Sequence, residues 1–521
     1  MTFDRDTALE RLGSETFDVL VVGGGITGAG VALDAASRGL RTALVERVDF
    51  GSGTSSRSSK LVHGGLRYLS QGDYRLVAQA LAERQRLLGN APHLVRPLPF
   101  LYPSYGSRTK MRAVSSALWL YDLTGGFRIG QLHRRLSTAD ALAHTSALRR
   151  DGLVGAHLYL DAQADDARLT LAVVRTAVLD HRAVAANRVT VTGLLRHTGG
   201  HVAGVSVEAD GRSLEVRASV VVNAAGVWAD GLTGAGGPAS IRPAKGVHVT
   251  VPADRIPTDV AVVLAVPSDG RSIFVIPWPG AARVYVGTTD TDYDGPLDSP
   301  TCTAGDVAYL LDAVNAALTT SLTQADVVGT WAGLRPLAAG APNQRSADLS
   351  RRHRVSRSPE GVVTVAGGKL TTYRAMAADT VDAVEAALGR RHSPSRTGTL
   401  LLRGATRAAG DHLVSRYGTE ARVLGALCDA DRSLGLPLVP GLPYLRAEAV
   451  YAARYEMART VDDVLARRTR ALILDREASV TAAADVAGLL APELGWTDAE
   501  AAAQVETYQA GAEAERLAAT A

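Results

Sequence analysis

Apolar residues fall in two kinds of run along this chain. The first is short, continuous and rich in valine, the pattern of a strand buried on both faces of a parallel sheet. Asp18–Val22 and Thr42–Val45 read this way, as do the strands within VVVNAAGVWAD (220–230) and VVTVAGGKLTTYR (362–374). The second kind recurs at helical spacing, from about Thr27 to Arg38 and again through 397–521, which is rich in Ala, Leu and Arg. Three further runs, Val260–Val266, Ser272–Ile276 and Arg283–Thr288, are strand-like and parted by Pro and Gly turns, which predicts an antiparallel sheet.

The turn after the first strand carries chemistry. Gly23, Gly25 and Gly28 form G-x-G-x-x-G, with Gly24, Ile26 and Thr27 between them. Gly23 allows the tight exit, Gly25 lets a pyrophosphate approach the backbone, and Gly28 lets helix and strand pack closely. The helix that follows presents free N–H groups to phosphate and stops at Gly39. The second strand ends on Glu46, placed to accept hydrogen bonds from an adenosine ribose. An acid there repels a 2′-phosphate, so FAD or NAD is selected over NADP.

At 521 residues the chain exceeds one hydrophobic core, so several domains are expected. A net charge of only +3 argues against a nucleic-acid binder. Two distant cysteines, Cys302 and Cys428, build no disulfide framework and no metal site. The polar N-terminus has no apolar core of a secretory signal, and no run is long enough to span a bilayer, so a cytoplasmic protein with at most peripheral membrane contact is expected. The Ser- and Gly-rich segment GSGTSSRSSKLVHGGLRYL (51–69) does not continue an alternating strand–helix unit. Such composition often means a flexible surface loop, but His63-Gly64-Gly65 followed by an amphipathic segment reads as an ordered loop wrapped on a ligand.

SSKLVHGGLRYL resembles the flavin-contacting loop of the FAD-linked glycerol-3-phosphate dehydrogenases, in the D-amino-acid-oxidase-like superfamily. DDARLT (165–170), VVVNAAGVWAD, VVTVAGGKLTTYR and residues 448–475 resemble that family too, so the likeness runs through the whole chain past residue 16. It implies an α/β fold with a discontinuous Rossmann-like FAD domain (17–80, 160–240, 330–388), an antiparallel-sheet cap domain (81–159, 241–329) and an α-helical C-terminal domain (397–521), with 389–396 as a polar linker. FAD is expected to be held non-covalently by Gly23, Gly24, Gly25, Ile26, Thr27, Gly28, Glu46 and Arg47. The loop would add Thr54, Ser55, Ser58, Ser59, Lys60, Leu61, His63, Gly64 and Gly65, and the later turns Ala225, Gly226, Gly368, Lys369, Leu370 and Thr371. The Gly367-Gly368 turn would also bring a second helix N-terminus to the flavin ring.

The reaction implied is oxidation of sn-glycerol 3-phosphate to dihydroxyacetone phosphate. Fixed positive charge for the phosphate is expected from Arg335, Arg351 and Lys369, with Tyr373 beside them. Whether Arg351 or Arg352 faces inward is open at this point. His248 is the expected base, a role that an imidazole suits, and His63 is the rival. Lys245 could orient either. No metal is expected. The electron acceptor implied is membrane quinone, with dioxygen the alternative, and a homodimer is left open. Lys110-Met111-Arg112 with Trp119 and Tyr121 could form a membrane-facing surface or a packed cap helix. An amine or amino-acid oxidase, a non-catalytic flavoprotein and an NAD-dependent dehydrogenase are the rival readings. The last fails because the cap insertions have no role in it.

Overall fold

The computed structural model describes residues 2–70, 72–232, 241–266, 270–339, 351–408 and 410–521. Two sheets and a helical region share the chain. The first sheet has a parallel centre in the order Val363–Ala366, Arg212–Asn223, Thr16–Val22, Thr42–Val45, Val184–Ala186. Its central strands are apolar on both faces because helices cover both. The helix Ile26–Ser37 is buried along nearly all its length and packs against Tyr373–Ala387 and Asp166–Leu179. That packing is why half of its residues are Gly or Ala.

The second sheet is antiparallel but for one pair, Ala261 and Val262 running parallel to Phe100 and Leu101. Strands Ala261–Ala265, Ser272–Pro277 and Arg283–Gly287 stand within a residue of the strand-like runs expected there. Two segments expected in the flavin domain belong here instead. Gly329–Ala338 pairs along its length with Ile241–Pro252, and Leu61–Val62 pairs with Ala162 and Gln163. Helix Tyr74–Asn90 runs unbroken across the boundary expected at residue 80. Periodicity identifies a strand but not the sheet that receives it.

The C-terminal region is helical and is clamped to the rest by buried charge. Asp49, fully buried, accepts from Arg467 at 2.7 Å and from Arg468 at 2.6 Å. Asp166, likewise buried, takes Lys60 at 3.2 Å and Arg470 at 3.1 Å. The polar 389–396 stretch is not a loose linker. The Ser393 carbonyl accepts from Arg38 at 2.7 Å, and Ser395 Oγ donates to the buried Asp34.

Removing one partner of a buried ion pair strands the other charge, at a cost of about 3–5 kcal/mol. Asp49→Ala is therefore expected to lower the unfolding free energy of the flavin-loaded protein by that order, read as a lower midpoint of urea unfolding. An unchanged midpoint would show that these arginines do not clamp the helical region.

Candidate active site

The first sheet ends in a long cavity of about 980 Å³. Gly23, Gly25, Ile26, Thr27, Glu46 and Arg47 line it, together with Thr54, Ser55, Ala225 and Gly226 and with Gly367, Gly368, Lys369 and Leu370. Gly23 has φ +107, and a Cβ there would lie 2.6 Å from the Ala224 carbonyl oxygen. A Cβ on Gly28 would lie 1.9 Å from the Gly23 oxygen, so helix and strand touch through glycine alone. Glu46 accepts from Gly24 N at 2.6 Å and Val48 N at 2.9 Å, which fixes its carboxylate at the cavity rim. Its burial raises the carboxyl pKa, against the pull of those two N–H groups. Arg47 lies over the Trp228 ring at 5.3 Å, and the Trp228 indole N–H is buried without a partner. A dinucleotide fits: the cavity joins a glycine cradle, an acid beside it and a lysine ammonium without a hydrogen-bond partner.

The loop after the cradle divides between two tasks. Ser55 Oγ accepts from Ile26 N at 2.8 Å, at the helix N-terminus. Ser58, Ser59 and Lys60, expected against the cofactor, turn to the cap and to Asp166 instead. Ser58 donates N–H and Oγ–H to Asp166, and its carbonyl accepts from Trp331 Nε1. Lys60, at φ 58, pairs with Asp166 and sits 4.8 Å from the Trp331 ring centre. Burial first, then Arg470, brings its pKa down to about 8. Ser58 and Lys60 turn this way because the Asp166 carboxylate is delivered to them from far along the chain. Leu61 sends its side chain into the core. The Gly64 N–H is taken by Tyr121 Oη and Asp161, and Thr371 Oγ1 holds His63 N at 3.1 Å. A Cβ on Gly65 would meet the Tyr68 ring at 2.4 Å.

The cap sheet turns one face to this loop. His248 is paired with Trp331 and Ala244 with Arg335, so Ala244, Gly246 and His248 share a face with Trp331, Gly333 and Arg335. Two glycines make room. A Cβ on Gly246 would lie 2.4 Å from the Arg335 guanidinium, and one on Gly287 would lie 2.1 Å from the His248 ring. His248 stacks on Trp331 at 4.6 Å and 7°, and its Nε2 is 2.9 Å from Ser59 Oγ. Its Nδ1 is buried and has no partner. Burial, then the charges of Lys60 and Arg335, hold its pKa well below the usual 6.5, so the ring is neutral. His63 is also depressed, to about 4, by burial and Lys369. Lys245 pairs with Asp306 at 2.6 Å and does not serve either histidine.

Beside His248 the positive groups gather. Arg335 donates to Asp290 at 3.1 Å and to Thr288 Oγ1 at 3.3 Å. Arg351 donates to the other Asp290 oxygen at 2.9 Å. Arg352 points away and pairs with Asp73 on the surface, which resolves the choice between the two arginines as far as orientation goes. Lys369 Nζ lies 3.6 Å from the Tyr68 ring centre with no hydrogen-bond partner. Burial, then Arg351, lowers its pKa to about 7. Tyr373, expected at the substrate, is instead a packing residue: its ring fills the space over Gly30, where a Cβ would meet it at 2.8 Å, and it is buried in the core. Its position at the start of a helix turns it toward the neighbouring helix. Tyr68, Asp290, Thr288 and Trp331 were not singled out from sequence. Tyr68 sat within the GGLRYL motif, and the others carry no local signal.

A glycine-cradled dinucleotide cavity capped by a second sheet defines a flavin-dependent oxidoreductase. The family model described as FAD dependent oxidoreductase matches residues 18–383, and that of the C-terminal domain of alpha-glycerophosphate oxidase matches residues 363–501. Glycerol-3-phosphate dehydrogenase 2 of Mycobacterium tuberculosis is 44% identical, over 98% of this chain and 91% of its own length. The human mitochondrial glycerol-3-phosphate dehydrogenase is 36% identical, over 94% of this chain and 72% of its own. The crystal structure of the Bacillus halodurans glycerol-3-phosphate dehydrogenase, complexed with FAD, superposes with a TM-score of 0.77 at 31% identity, covering 99% of this chain and 97% of that one. The chain belongs to the FAD-dependent glycerol-3-phosphate dehydrogenase family.

Proposed function

We propose that this protein oxidises sn-glycerol 3-phosphate to dihydroxyacetone phosphate. The observation that carries the reading is a pair of guanidinium groups, Arg335 and Arg351, on one carboxylate, Asp290, with the buried Lys369 ammonium near Arg351 and a buried neutral histidine near Arg335. Guanidinium groups meet a phosphate dianion through paired donors, and the lysine adds a third positive charge. Bound FAD supplies the hydride acceptor. Arg335, Arg351 and Lys369 hold the phosphate, and Tyr68 supports Lys369 from below. With Nε2–H donating to Ser59 Oγ, His248 Nδ1 keeps its lone pair and takes the proton of the C2 hydroxyl.

The acceptor proposed is quinone at a membrane surface. Among the described residues no helix is long and apolar enough to cross a membrane. Helix Arg108–Leu123 and the turn after it expose Trp119, Leu123, Phe127 and Leu132 among the exposed Arg108, Arg112 and Arg128, a face suited to anionic lipid. Met111 and Tyr121, from the same stretch, are buried and belong to the cap core, and the Lys110 side chain lies outside the described residues.

Two measurements test the reading. His248→Ala is expected to lower kcat by about 10²–10⁴-fold with little change in KM; unchanged kcat would remove His248 as the base. Lys369 must be protonated to hold phosphate. Its lowered pKa means that this charge is present below pH about 7 and lost as pH rises through it. Hence kcat/KM is expected to fall above that pH, and Lys369→Arg to remove the fall. Matching alkaline limbs in the two proteins would contradict the assignment.

A further inference from the structure

A second cavity, of about 420 Å³, lies between the cap sheet and the helical region, and none of the residues lining the dinucleotide cavity lines it. Its apolar walls are Leu94, Trp278, Tyr285 and Pro443. Three of its cations are already matched: Lys60 by Asp166 at 3.2 Å, Arg168 by Glu456 at 2.7 Å, and Arg416 by Asp165 at 3.0 Å. Arg96 differs. It is half-buried and spends one NH₂ group on the Ser415 and His93 carbonyls, at 2.9 and 3.5 Å, with no carboxylate partner among the described residues. Its charged neighbour is Arg416, and burial with that repulsion lowers its pKa. Tyr444 also lines the cavity. It is 1% exposed, yet its hydroxyl has no partner.

An unmatched guanidinium and an unmatched hydroxyl on the wall of one cavity are two donors lacking an acceptor. We propose that this cavity binds a compact organic anion, a carboxylate or phosphate on a ring-sized apolar body, with Arg96 as its charge partner and Tyr444 as its second donor. The volume suits one ring and its substituent. The aromatic walls suit the ring, and the flavin-side residues take no part.

Phenyl phosphate is the probe, because it joins a ring to a dianion. Isothermal titration of a flavin-loaded Arg335→Gln, Arg351→Gln, Lys369→Gln protein removes all three charges assigned to the substrate phosphate from view. One site is expected to remain. Adding Arg96→Gln is expected to weaken it about tenfold or more, and adding Tyr444→Phe several-fold, as loss of a hydrogen bond to a charged group does. No binding at millimolar probe, or binding that Arg96→Gln leaves unchanged, overturns the proposal. Flavin content and melting temperature report whether Arg96→Gln folds. Should it not, Tyr444→Phe decides, and unchanged affinity there overturns the proposal equally.

Discussion

The site depends on positive charge held out of water. Arg335 and Arg351 share Asp290, and Lys369 stands beside them over an aromatic ring. Desolvation costs Lys369 and Arg335 part of their affinity for a proton, which is why Lys369 falls to about 7 and Arg335 shifts down as well. Burial, then the charges of Lys60 and Arg335, keeps His248 neutral. Arg335 therefore serves both an anion clamp and a histidine able to accept a proton. Neither would survive if solvent entered freely.

Three separate parts of the fold must meet to hold that charge. The first sheet ends in the glycine turns that carry Gly23–Gly28 and Lys369. The cap sheet presents Arg335 and His248 over Gly246 and Gly287. Between them runs the 54–65 loop, pinned by Asp166 on one side and by Asp161 on the other. Asp161 is itself buried against Arg84 and Tyr121, so the loop rests on a satisfied polar network rather than on open solvent. The helical region closes the arrangement from outside, through Arg467, Arg468 and Arg470.

Local chemistry was legible in the sequence, and long-range partnership was not. Gly23, Gly25, Gly28 and Glu46 could be read because strand, turn, helix and acid follow in order. Three cap strands could be read as strand-like runs parted by Pro and Gly turns. Lys60 and Ser58 were misplaced because their partner, Asp166, arrives from another element. Arg351 and Arg352 are adjacent, and Asp290 and Asp73, brought from elsewhere in the fold, separate their directions. Tyr373 sits in a motif rich in functional residues, yet helix geometry turns it to Gly30. The sheet that receives Gly329–Ala338 is likewise a property of pairing, which no single segment carries.

The most direct test of the charge cluster poised over a bound flavin is a spectrum. Purified flavin-loaded protein is mixed with glycerol 3-phosphate without oxygen. The account predicts that the yellow absorbance of oxidised flavin is lost, in proportion to the flavin present, and that glycerol without its phosphate leaves it unchanged. Flavin that stays oxidised with glycerol 3-phosphate, yet bleaches with dithionite, would contradict it.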